Sequence, residues 1–154
     1  MRIGHSKGFT LVELVATLII IALIAAVSGS RFFTIGAFQQ QGFFDETISA
    51  VRYAQKLAVA TNCTVRVQIT ATGYTLFRPA TNGAACTAGT YTTPVTDPTG
   101  STPTFTRTAP GSVTLTPADF TFASDGSASA NVTVSVSGGR SFNVIAATGF
   151  VQRQ

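Results

Sequence analysis

Few side chains in this sequence are equipped for chemistry. Of 154 residues, 6 are acidic and only one is a histidine, His5, near the very start. Mechanisms that use a serine or cysteine nucleophile need a base beside it, and no other imidazole is available. The cysteines, Cys63 and Cys86, stand 23 apart with no C-x-x-C pair, which removes zinc-ribbon and thioredoxin-type chemistry. Asp45 and Glu46 adjoin on one predicted helix. Asp97, Asp119 and Asp125 sit near turn signals, where aspartate serves as a cap or turn former. These five read as structural rather than as a catalytic carboxylate pair, so no enzyme, cofactor or metal is expected. The sixth acid, Glu13, is the anomaly: it is the only charge in the 23 residues between Lys7 and Arg31. A carboxylate deep in lipid costs roughly 2 to 3 kcal/mol and by default has a partner. The milder alternative is that Glu13 snorkels to the headgroups.

The element that positions Glu13 is the apolar run over residues 9–27, FTLVELVATLIIIALIAAV. As a helix, 19 residues extend about 28 Å, close to a hydrocarbon core of about 30 Å. Arg2 and Lys7 precede the run and only Arg31 closely follows it, so the positive-inside bias puts the start in the cytoplasm and the remainder outside. A cleaved secretory signal ending near residues 25–28 and a buried core helix are the competing readings. Composition agrees that the apolar excess is local. Charged residues make up 10% of the chain, against about 25% in an average soluble protein, which argues against a disordered charged tail or a nucleic-acid binder built mainly on charge.

The run Lys7-Gly8-Phe9-Thr10-Leu11-Val12-Glu13 resembles the processing site of type IV pilins and type II secretion pseudopilins. That resemblance implies cutting between Gly8 and Phe9 by a prepilin peptidase, N-methylation of Phe9, and retention of the apolar helix. Losing Arg2 and Lys7 then lowers the formal balance from +4 to +2. It also implies that Glu13 answers the positive N-terminus of a neighbouring subunit during assembly. Removing one partner of such a buried pair typically costs about 3 to 5 kcal/mol.

Beyond the run, Ser28-Gly29-Ser30 interrupts the helical pattern, and Gly36 and Gly42 weaken the linking stretch. A second amphipathic helix is predicted from about residue 43 to residue 60, with Phe44, Ile48, Val51, Ala54 and Ala58 on one stripe. Asp45, Glu46, Arg52 and Lys56 read as its solvated face, with a polarity that suits the helix dipole. After Asn62 the period becomes two. A hairpin is expected from Val65, Val67 and Ile69, turning at Thr72-Gly73 and returning over residues 74–78. All six prolines fall between Pro79 and Pro117, and residues 79–104 read as a long surface loop. Strands are expected near residues 112–116 and 120–123, then a hairpin over residues 132–146 turning at Gly138-Gly139. The phrase over residues 50–58 and the ending from Phe122 to Val151 resemble the minor pseudopilin H and T-type minor pilin group.

The expected fold is α+β: a long N-terminal helix, transmembrane in its first half, followed by a β-rich antiparallel head domain. The expected segments are a removed leader (1–8), a transmembrane and assembly helix (9–28), a linker with an amphipathic helix (29–61) and the periplasmic head (62–154). In an oxidising periplasm Cys63 and Cys86 read as a disulfide, the alternative being two free thiols. Asn62-Cys63-Thr64 and Asn131-Val132-Thr133 match glycosylation sequons by coincidence.

The principal reading is a minor subunit of a type IV pilus or a type II secretion pseudopilus. Its expected partners are other pilin-type subunits, prepilin peptidase and inner-membrane lipid. A major subunit and a lipid-anchored enzyme are weaker readings. In the alternative reading the head binds DNA for uptake through Arg107, Arg140 and Arg153. Some T-type pilins carry arginines beside a C-terminal glycine, but here Phe150 follows Gly149 and only Arg153 remains nearby.

Overall fold

The computed structural model describes residues 9–28, 35–80, 86 and 89–154. The expected leader (1–8), the joint at residues 29–34 and loop residues 81–85 and 87–88 lie outside the described residues. The chain divides into two units, Met1–Ile35 and Gly36–Gln154.

The described residues of the first unit include the helix α1 (Leu11–Ser28). It begins two residues later than the sequence pattern suggests because Thr10 is its N-cap. The Thr10 hydroxyl accepts a hydrogen bond from the Glu13 N–H at 3.3 Å, and the Thr10 carbonyl accepts the first helical bond, from the Leu14 N–H, at 3.1 Å. Its large apolar side chains from Leu11 to Ile24 are all exposed on every side. At 18 residues the helix is about 27 Å long. Among the described residues no helix is long and apolar enough to cross a membrane.

The second unit is built on α2 (Ile35–Thr61). This helix starts about eight residues earlier than its apolar stripe, running through Gly36 and Gly42, where an added Cβ would meet nothing within 4 Å. Each glycine costs about 1 kcal/mol relative to alanine, a penalty that the later turns offset. Phe43, Phe44, Thr47, Ile48, Val51, Ala54 and Ala58 are buried on one face. Asn62 closes the helix in the left-handed conformation (φ 53°). The Asn62 N–H donates to the Val59 carbonyl and the Cys63 N–H to the Ala58 carbonyl, the bond pattern of a Schellman cap.

Two antiparallel sheets cover α2. In the first, β1 (Val65–Thr70) pairs with β2 (Gly73–Arg78) and β5 (Ala118–Phe122), while β3 (Thr93–Pro94) and β4 (Thr106–Thr108) both pair with β2. In the second, β6 (Val132–Val136), β7 (Arg140–Val144) and β8 (Val151–Arg153) lie in that order. Register sets the core: Val67 lies opposite Leu76 and Phe120, and Val134 lies opposite Phe142. All five are buried.

Two expectations need correction, and one strand was not foreseen. Residues 112–116 form no strand beyond one bridge, Leu115 to Val136, since Pro110 and Pro117 bracket the stretch without donors for a ladder. The loop over 79–104 contributes β3 and is followed at once by β4. The chain also ends in a strand, β8, whose Val-Gln-Arg sequence is too short for alternation to reveal.

Candidate functional site

At the head of α1, Thr10-x-x-Glu13 forms the first half of a capping box, with the Thr10 hydroxyl bonded to the Glu13 N–H. The Glu13 carboxylate is exposed in the first turn, where the helix dipole favours a negative charge. Phe9, next to the expected cut, is 73% exposed, and Gly8 lies outside the described residues. The capping signal is present in the sequence as Thr10 followed by Glu13 three residues on.

Just beyond the C-terminus of α2, Cys63 and Cys86 form a disulfide with Cα atoms 5.0 Å apart, and the pairing expected over two free thiols is the one present. The Asn62 cap turns the chain so that Cys63 faces the loop. The Thr64 N–H donates to the Cys86 carbonyl at 3.0 Å beside the bond, so the loop is held both covalently and by a backbone hydrogen bond.

The three arginines assigned to DNA do not present a shared free surface. Arg107 donates from Nε to Glu46 at 3.0 Å, from Nη2 to Asp97 at 2.8 Å and from Nη1 to the Thr102 hydroxyl at 3.1 Å. Its guanidinium lies 5.5 Å from the Phe105 ring centroid. Arg153 pairs with Asp45 and lies 5.3 Å over the Phe44 ring. Arg140, opposite Val136 beside the β6–β7 turn, makes no ion pair among the described residues. Arg107 and Arg153 thus converge on successive carboxylates of α2, as internal clamps.

Of the four charges read as the solvated face of α2, Glu46, Arg52 and Lys56 are exposed and Asp45 is half-buried, and three of them also make bonds to the rest of the unit. Asp45 and Glu46 hold those two arginines, Arg52 donates to the Val151 carbonyl at 3.1 Å, and Gln55 Nε2 donates to the carbonyls of Gly126 and Thr148, both at 2.9 Å. Asp97 is the residue least legible in advance. It is buried, accepts from the Thr99 N–H at 2.9 Å and from the Thr99 and Thr102 hydroxyls, and faces Arg107. That guanidinium first, and the Thr99 N–H second, hold its carboxyl well below the usual carboxylate range. Burial, the largest cause, pushes the Tyr74 phenol up. Arg66 grips Asp119 through two bonds on the outer face of the first sheet, and this holds Asp119 below its ordinary value. Among the described residues no group of three or more His, Cys, Asp or Glu is placed to hold a metal ion.

Comparison with known proteins places these features in context. The family model for type II transport protein GspH matches residues 45–149, and that for the prokaryotic N-terminal methylation motif matches residues 3–29. Among solved structures, the type IV minor pilin FimU of Pseudomonas aeruginosa superposes with a TM-score of 0.55 at 14% identity, covering 77% of this chain and 90% of that one. A second crystal form of FimU gives a TM-score of 0.49 at 16% identity, covering 74% and 91%. At these identities the likeness is one of fold. No curated protein matches the sequence significantly.

Proposed function

The chain belongs to the type II transport protein GspH family, and from that premise we propose that it is a minor subunit of a pilus-type filament, of the type IV pilus or type II secretion pseudopilus kind. The observation that carries this reading is a single one: a methylation motif over residues 3–29 coincides with a helix whose large apolar side chains from Leu11 to Ile24 are all exposed. Such a helix has to be covered, first by lipid and then by the helices of neighbouring subunits.

In this reading prepilin peptidase cuts between Gly8 and Phe9, Phe9 is N-methylated, and α1 holds the subunit in the inner membrane with the head in the periplasm. Phe9 and Thr10 add the two residues by which the 18-residue helix falls short of a bilayer core of about 30 Å. Glu13 then meets the amino group of a neighbour in a medium where no water screens the pair, and so fixes axial register. The head is a packing body rather than an enzyme, with Asp45, Glu46 and Asp97 engaged through Arg153 and Arg107 in holding strands and a loop to α2.

The test is incorporation. A Glu13→Ala subunit expressed beside the wild-type filament proteins is expected to reach the membrane, be processed, and be missing from sheared filaments. Its recovery in filaments at the wild-type level would remove the register role.

A further inference from the structure

Beside the disulfide, described residues of the second unit line a cleft of about 330 Å³. Its floor is apolar and buried, with Val65, Val95 and Cys86. Leu57 and Tyr53 form one wall, and Tyr53 is fixed by stacking on Phe105 with ring centroids 5.3 Å apart and planes 11° apart. The rim is polar and exposed, and its one charged group is Arg78.

Arg78 is one of four cations of this unit, with Arg52, Lys56 and Arg140, that make no ion pair among the described residues, and it is the one on the cleft. The second unit has five carboxylates. Four serve other arginines, as Asp45 with Arg153, Glu46 and Asp97 with Arg107, and Asp119 with Arg66. The fifth, Asp125, accepts from the Ser127 N–H and hydroxyl. None is left for Arg78, which makes no ion pair among the described residues. An unmatched guanidinium on the lip of an apolar cleft selects an occupant with an apolar body and a carboxylate beside it. The volume lies at the low end of ligand sites, about 300 to 1,000 Å³, enough for one large side chain with its neighbour.

We propose that this cleft receives a short apolar–acidic peptide segment of another filament subunit, an aromatic or aliphatic side chain filling it and the adjoining carboxylate accepting from Arg78. The choice of a subunit as the source rests on the filament reading above. The chemistry of the cleft does not, and binding is measured without assembly, so either can fail alone.

The test uses the full chain in detergent micelles with labelled Val and Leu methyls, titrated with acetyl-Phe-Asp-amide and with its neutral counterpart acetyl-Phe-Asn-amide. Saturable shifts are expected at Leu57, Val65 and Val95, with the acidic peptide binding about tenfold more tightly. Arg78→Gln, at an exposed position, should erase that preference and leave the remaining spectrum intact, while Arg140→Gln should retain it. No saturable shift up to about 10 mM peptide, equal binding of the two peptides, or indifference to Arg78→Gln would overturn the site. Hydrocinnamate binding as tightly as the peptide would overturn a subunit as its source.

Discussion

Asp97 joins three pieces of chain that are distant in sequence. Through Arg107 it ties the 97–104 loop to β4, and through the same guanidinium to Glu46 on α2. Because its folded pKa is depressed by Arg107 and the Thr99 N–H, it contributes stability that is fully present above the unfolded carboxylate value of about 3.9 and is lost as pH falls through the folded value. The thermal midpoint of the wild type should therefore fall as pH drops below about 4. Asp97→Asn should be less stable at pH 7 and lose less on acidification; an unchanged acid slope in the variant would remove this assignment. Gly149 makes a second test at this scale. Its φ is +63°, and an added Cβ would lie 2.0 Å from the Gly126 carbonyl and 2.5 Å from Gln55 Nε2. Gly149→Ala should cost about 1 to 3 kcal/mol in urea unfolding. Neither role was visible in the sequence, because Asp-Pro-Thr-Gly and Thr-Gly-Phe announce turns without saying what packs on them.

The elements that the sequence announced are those with a clean period. The β1–β2 and β6–β7 hairpins alternate over five or more residues, and the buried stripe of α2 repeats at three and four, so each could be placed from apolar spacing. The start of α2 was missed because Gly36 and Gly42 signal a break, while β3, β4 and β8, of two or three residues, are too short to carry a pattern and exist only because β2 and β7 offer them an edge. The disulfide is the device that joins element to loop. Closing a segment of this length contributes roughly 3 kcal/mol on the chain-entropy estimate. Replacing both cysteines, as Cys63→Ser with Cys86→Ser, is expected to lower the unfolding free energy by about that amount. A reductant should lower the wild type toward the variant and leave the variant unchanged.

At the scale of the whole molecule, the chain combines a packed α+β head of the GspH family with a helix whose large apolar side chains from Leu11 to Ile24 are all exposed. Family and fold class were legible because Gly8 to Glu13 and the apolar run are local signals. The internal use of Arg107 and Arg153 was not, because their partners Asp97 and Asp45 are brought to them only by tertiary packing. The assembly account requires that the apolar helix survive maturation. Gly8→Val should accordingly block processing and leave the protein at precursor size on a gel. The most direct measurement is the intact mass and N-terminal sequence of the protein purified from the membrane or the filament. A mature chain beginning at N-methylated Phe9 is the expected result, and one beginning near residue 28 would contradict the account.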